Sequence, residues 1–182
     1  MGAADGLYGR FNENLQAVNG TSWLCPAGEA ADVIVKAYKE AGIADACLCE
    51  SPLVKELGVK EALENAGITV FTDHIRLHAE TAKGGICEVQ CGIAELGSVL
   101  QLGDDIDCRL VAGMSEYYIG ILRLSTIVET YDDMFDKLCA MKELPSFVGF
   151  VTGPSRTADI ECVSTVGVHG PLKLSIVVIQ DI

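Results

Sequence analysis

Two turn-rich loops near the end of the chain, each next to an apolar run, carry residue types suited to binding and proton transfer. The candidate binding residues of the first loop are Gly153, Ser155, Arg156, Thr157 and Asp159. The second loop contributes His169 and Gly170. Loops between buried strands often carry function because a rigid scaffold positions them. We therefore take these two loops as the first candidate site.

Arg156 suggests the binding of an anion. Its planar guanidinium can hold a carboxylate or phosphate through two parallel hydrogen bonds. Ser155 is predicted to cap a short helix from Thr157 onward, whose free backbone N–H groups would also favour an anion. This interpretation predicts a small anionic ligand such as a 2-hydroxy acid or a sugar phosphate. The alternative is structural, with a simple helix cap and an ion pair between Arg156 and Asp159 or Glu161.

Two residues are candidates for proton transfer, His169 and Glu95. An imidazole titrates near neutral pH, so His169 can abstract a hydroxyl proton, unless its ring only braces the loop. Glu95 can act as an acid, a base or a carboxylate nucleophile, unless it only pairs with an Arg or Lys. Gly97 and Ser98 follow it and are candidate ligand contacts.

The cysteines do not form a recognisable metal motif. The chain has eight of them at irregular spacing, without any C-x-x-C pair. Most lie in apolar segments, where a free cysteine behaves as a small hydrophobic residue. His74 and His78 are four residues apart, as are Cys87 and Cys91, which suits zinc if both pairs lie on helices. Because Gly84 breaks any continuous helix, we favour a solvated helix and core thiols, without a bound metal.

The elements that must position these residues alternate between strand and helix. Residues 1–20 are predicted to contain an N-terminal helix. Short apolar runs predict strands at residues 21–25, 44–49, 68–71, 97–102, 109–112, 117–122, 147–151 and 172–179. An amphipathic pattern predicts a helix over residues 127–141. This alternation indicates an α/β fold with a mostly parallel sheet flanked by helices, and no G-x-G-x-x-G motif supports a dinucleotide site.

Composition limits the class of protein. A chain of 182 residues with 49% hydrophobic and 21% charged residues suits one globular domain over residues 1–182. The net charge of −13 argues against nucleic acid as a partner. No apolar run reaches the ~20 residues of a membrane helix, and the N-terminus lacks a signal-peptide pattern. We therefore expect a cytoplasmic protein without membrane insertion.

Two motifs resemble one known family. The sequence GPSRTADIE at residues 153–161, followed by GVHGP at residues 167–171 and a terminal apolar strand, resembles the C-terminal signature of the lactate utilization protein C family, the LUD domain. The sequence GIAELGS at residues 92–98 resembles the second motif of that family, usually closer to IAETGT. The resemblance implies a Rossmann-like fold related to glucosamine-6-phosphate deaminase, ribose-5-phosphate isomerase and the CoA-transferases.

The resemblance also implies a function. It indicates a subunit or accessory protein in the oxidation of L-lactate to pyruvate, acting beside iron–sulfur oxidoreductase subunits and flavin-type partners. The clusters would belong to the partner subunits, so this chain is expected to bind no cofactor. The predicted pocket lies between the loops of Glu95, Arg156 and His169. The alternatives are a stand-alone enzyme of the isomerase/CoA-transferase-like fold, acting on a phosphorylated or CoA-linked substrate, and an assembly subunit without chemistry.

Overall fold

A computed structural model describes residues 3–154, 156–157, 165–166 and 170–180 of the protein. The helices of this part are α1 (Ala3–Ala17), α2 (Ala30–Glu40), α3 (Pro52–Glu56), α4 (Val59–Asn65), α5 (Ile75–His78), α6 (Ile106–Met114) and α7 (Tyr131–Cys139). The strands are β1 (Thr21–Pro26), β2 (Asp45–Leu48), β3 (Thr69–Phe71), β4 (Gly84–Glu88), β5 (Cys91–Ile93), β6 (Ser98–Gly103), β7 (Tyr117–Arg123), β8 (Ile127–Val128), β9 (Phe147–Val151), β10 (Arg156–Thr157), β11 (Thr165–Val166) and β12 (Lys173–Gln180).

The main sheet is parallel and has the strand order β1-β12-β7-β4-β2-β3. Strand β12 lies inside the sheet, with Ser175 opposite Thr21 of β1 and Ile119 of β7. Its six residues from Leu174 to Ile179 are all buried, as expected for a parallel strand covered on both faces. The predicted α/β fold with a mostly parallel sheet is therefore confirmed.

Helices cover both faces of this sheet. Helices α2, α3 and α4 pack on one face, where the ring of Tyr38 is fully buried and its hydroxyl donates to the Gly85 carbonyl over 3.0 Å. Helices α1, α5 and α6 pack on the other face, where Phe11 and Leu15 of α1 are fully buried. The N-terminal helix predicted within residues 1–20 is thus a core element of the fold.

A smaller mixed sheet of order β8-β5-β6-β9 carries helix α7 on its surface. The predicted helix over residues 127–141 was wrong at its start, because Ile127 and Val128 pair with β5. The helix begins only at Tyr131, since Thr130 and Asp133 form a reciprocal capping box. The cap sets the first turn of α7, and Ile127 and Val128, which precede the cap, form β8 of the small sheet.

The strand predicted at residues 109–112 was also wrong, because these residues lie within α6. The Asp105 side chain accepts a hydrogen bond from the Asp107 N–H over 3.0 Å and starts the helix. Val111 packs in the core on the face that α6 covers. Among the described residues, no helix combines the length and the apolar character needed to cross a membrane.

Candidate functional site

Glu95 lies half-buried in the turn between β5 and β6. Its carboxylate accepts a hydrogen bond from the backbone N–H of Tyr131, the first residue of α7. Its own N–H donates to the Glu129 carbonyl over 3.0 Å. A carboxylate at a helix N-terminus stabilises the unpaired N–H groups there. The structural partner of Glu95 is therefore the start of α7 and not the Arg or Lys considered above.

One glycine of each motif lies against the C-terminal end of α1. Gly97 has a φ of +61°, and a Cβ there would overlap the backbone of Asn14 and Leu15. Gly153 has a φ of +69°, and a Cβ there would overlap the carbonyl oxygen of Val18. Only glycine meets both conditions at low cost. These two glycines thus allow α1 to pack closely against both motif segments.

Ser98 joins the two motif segments directly. Its buried hydroxyl lies 2.6 Å from the Thr152 hydroxyl, next to Gly153. The pairing of β6 with β9 sets this contact, because Val99 lies opposite Val151. The structure therefore brings together the predicted residues Ser98 and Gly153, which are far apart in the sequence.

The second half of the predicted pocket is described only by its backbone. Arg156 and Thr157 form β10, which pairs antiparallel with β11. The helix predicted from Thr157 onward is therefore wrong at that residue. Gly170 has a φ of +127° and lies just before β12. Ser155, Asp159 and His169 lie outside the described residues.

The carboxyl ends of β2 and β4 in the main sheet mark a second candidate site, which sequence reasoning missed. From β2 the chain continues through α3 and α4 to β3, which lies on the side of β2 away from β4. From β4 the chain continues to β7, which lies on the side of β4 away from β2. The carboxyl ends of β2 and β4 therefore flank a point where the direction of winding reverses. Open α/β sheets bind ligands in the crevice at such a point.

Three thiols meet at this crevice. The sulfur atoms of Cys49, Cys87 and Cys108 all lie within 4.8 Å of one another. Cys49 directly follows β2, and its N–H donates to the Ile86 carbonyl of β4 over 2.9 Å, which aligns it beside Cys87. Cys108 lies in the first turn of α6. We name these three residues the thiol cluster.

The thiols share hydrogen bonds with unequal effects on their acidity. Hydrogen bonds from Cys49 and Cys87 lower the pKa of the Cys108 thiol. The same contact with Cys108 raises the pKa of Cys49, and burial raises the pKa of Cys87 well above its usual range. Cys108 is also the least buried of the three thiols.

A cavity of about 240 Å³ opens beside the thiol cluster. Its wall contains Cys49 and Cys108 together with the acidic residues Glu50, Asp105 and Asp107. The carboxylates and thiols repel an anion and favour a cation. The one sequence signal for this site was the position of Cys49 at the end of a predicted strand.

A larger cavity of about 410 Å³ lies where β7 and β12 end. Arg123 lines it and forms an ion pair with Glu56 over 3.8 Å. Among the described residues, neither His74 nor His78 belongs to a group of three ligand atoms close enough for one metal ion. The ring of His78 stacks on Phe71 with ring centroids 3.8 Å apart. Arg123 is thus a candidate anion contact that sequence reasoning missed.

The fold and these sites define an α/β protein with a doubly wound parallel sheet and a smaller mixed sheet. The LUD domain matches residues 8–179, and the chain belongs to this family. The resemblance proposed from the two motifs is therefore confirmed.

Several relatives show the same family. The uncharacterized protein YkgG of Escherichia coli K12 is 32% identical over 167 residues, which cover 87% of this chain and 72% of that protein. Lactate utilization protein C of Halalkalibacterium halodurans is 33% identical over 138 residues, which cover 71% of this chain and 60% of that protein. A crystal structure of a DUF162 family protein from Deinococcus radiodurans has a TM-score of 0.71 at 19% identity, covering 98% and 99% of the two chains. It has the same fold.

Proposed function

We propose that this chain takes part in lactate utilization in the cytoplasm, as a subunit or accessory protein that acts with iron–sulfur oxidoreductase subunits. The observation that carries this proposal is the similarity to several proteins named lactate utilization protein C, for example 32% identity to that of Bacillus mycoides and 38% to that of Shouchella clausii. The matched region spans 66% and 46% of those two proteins. The iron–sulfur clusters are assigned to the partner subunits.

We further propose that the chain binds a small organic anion through Arg156. Its backbone lies in β10, which pairs antiparallel with β11, and Gly153 and Gly170, both with a positive φ, precede and follow this pair in the chain. The alternative position beside the thiol cluster is unfavourable for a carboxylate because its wall is acidic. Of the two candidate proton-transfer groups we favour His169, since the Glu95 carboxylate already accepts the Tyr131 N–H.

Binding can be tested on the purified chain by thermal unfolding with L-lactate, pyruvate or inorganic phosphate. We expect L-lactate or pyruvate to raise the melting temperature of the wild type, because a ligand that binds only the folded state stabilises it. Arg156→Ala should abolish that rise, whereas Lys142→Ala, which removes an exposed positive charge elsewhere, should keep it. Loss of the rise in Arg123→Ala but not in Arg156→Ala would move the anion to the larger cavity and refute the assignment to Arg156.

The role in lactate utilization needs a separate test in the host cell. Deletion of the gene should impair growth on L-lactate, and the wild-type chain should restore it. An affinity tag on the chain should co-purify iron–sulfur proteins. Normal growth of the deletion strain on L-lactate would refute the proposed role, whatever the result of the binding test.

A further inference from the structure

We propose that Cys49, Cys87 and Cys108 bind one Zn²⁺ ion, with a fourth coordination position open toward the cavity beside them. This inference does not depend on the proposed role in lactate utilization. It also replaces the sequence-based expectation that the chain binds no metal.

The spacing of the sulfur atoms suits a single ion. Thiolates bind zinc at about 2.3 Å, so two sulfurs of a tetrahedral site lie about 3.8 Å apart. The three sulfurs are already within 4.8 Å of one another, so small side-chain rotations bring them to this distance. Thiolates of an iron–sulfur cubane each bind a different iron and lie farther apart. The thiol cluster therefore fits one ion better than a cluster.

The charge around the thiols favours a divalent ion. Three thiolates carry three negative charges, and Glu50, Asp105 and Asp107 line the adjoining cavity. A divalent ion neutralises more of this charge than a monovalent ion such as Cu⁺, although both bind sulfur well.

Buried polar groups hold the thiol cluster in place, as outer-shell residues do in metal sites. The Gln101 amide donates to the Cys108 carbonyl over 2.9 Å. The hydroxyl of Tyr118 donates to the other end of the same amide over 3.3 Å. Gln101 and Tyr118 are both buried, so neither exchanges these partners freely with water. Helix α6 is thereby tied to β6 and β7 at the turn that carries Cys108.

The ordinary explanation for buried cysteines is that they pack as small hydrophobic residues. That explanation accounts for Cys25 and Cys91, whose thiols belong to separate apolar clusters. It does not require three thiols to converge at the carboxyl edge of the sheet beside an acidic cavity. Among the described residues, no other group of three His, Cys, Asp or Glu side chains has ligand atoms this close together.

The test is metal binding by the full-length chain, purified anaerobically with a thiol-free reductant. We expect one Zn²⁺ per chain by elemental analysis, and a thiolate-to-metal absorption band when Co²⁺ replaces it. Affinity can be measured by competition with a chromophoric chelator. Cys49→Ser and Cys108→Ser should each weaken binding by more than the ~10–100-fold that outer-shell changes cost. Cys25→Ser, which changes a buried cysteine on the other face of the sheet, should leave binding unchanged.

Circular dichroism separates loss of the site from loss of the fold. Cys108 is only half-buried, so Cys108→Ser remains informative if Cys49→Ser unfolds. Absence of Zn²⁺ binding by a folded wild type with three free thiols would refute the proposal. Binding of Cu⁺ alone, an iron–sulfur spectrum, or a disulfide within the cluster in the protein as isolated without air would also refute it. Retention of wild-type affinity by both serine variants would place the ion elsewhere.

Discussion

Substitution of Gly97 by alanine tests whether the GIAELGS motif holds α1 in place. The residue combines a left-handed φ of +61° with close contact to α1, where a Cβ would come within 2.6 Å of the Leu15 Cα. The left-handed conformation costs an alanine about 1–2 kcal/mol. Insertion of a methyl group into a packed region costs a further ~1–3 kcal/mol. We therefore expect Gly97→Ala to lower the free energy of unfolding by roughly 2–5 kcal/mol.

Alanine substitutions at two other glycines distinguish the backbone cost from the packing cost. Gly42 has a φ of +69° but open space around it, so Gly42→Ala should show only the backbone cost of about 1–2 kcal/mol. Gly113 lies exposed in α6 without a contact for an added Cβ, so Gly113→Ala should stabilise by up to about 1 kcal/mol. The three variants can be compared by urea unfolding followed by circular dichroism.

One outcome would contradict the described packing of α1 against Gly97. If Gly97→Ala destabilises no more than Gly42→Ala, then α1 does not press on the motif as described. Normal stability of Gly97→Ala with loss of anion binding would instead return Gly97 to the ligand-binding role predicted from the sequence.

Three further predictions concern contacts around the small sheet. Glu95→Ala should lower the free energy of unfolding by about 1 kcal/mol, because the first N–H of α7 loses its acceptor. A melting temperature equal to that of the wild type would contradict this prediction. Ser98→Ala should cost about 1 kcal/mol, and in a double-mutant cycle with Thr152→Val the two losses should be less than additive. Hydrogen bonds from the Thr130 hydroxyl and backbone lower the pKa of Asp133 below its ordinary value of 3.8. This contribution to the free energy of unfolding is present above pH 3.8 and is lost as the pH falls through the lowered pKa of Asp133. The difference in unfolding free energy between the wild type and Thr130→Ala, measured with urea, should therefore shrink in strong acid.

Local signals predicted five of the six strands of the main sheet, all except β4. Ser51 followed by Pro52 is a typical start of a helix, and the structure shows the Ser51 hydroxyl accepting the Val54 N–H over 3.1 Å at the start of α3. Gly58 and Gly67 follow the ends of α3 and α4, and both have the left-handed conformation that favours glycine at a helix end. Such signals act within one turn of the chain, so they can be read without knowledge of the fold.

Local signals failed where short apolar runs had two possible uses. The run at residues 109–112 suits a strand or a buried helix turn, and the cap at Asp105 together with the crossover to β7 decides for the helix. Ile127 and Val128 fit the amphipathic pattern of α7 but pair with Gly92 and Ile93 instead. In the first place a local cap and the chain topology decided together, and in the second a tertiary partner outweighed a weak local preference.

The same contrast applies to the sites. The sequence by itself determined the family through two motifs. These motifs include Gly97 and Gly153, where the positive φ and the close packing against α1 require glycine. It could not show that Cys49, Cys87 and Cys108 meet, since their spacing follows no metal-binding pattern. Only the parallel pairing of β2 with β4 and the return of the chain through α6 bring these sulfur atoms together. Register and crossover direction arise from the whole sheet, so the thiol cluster exists only in the tertiary structure.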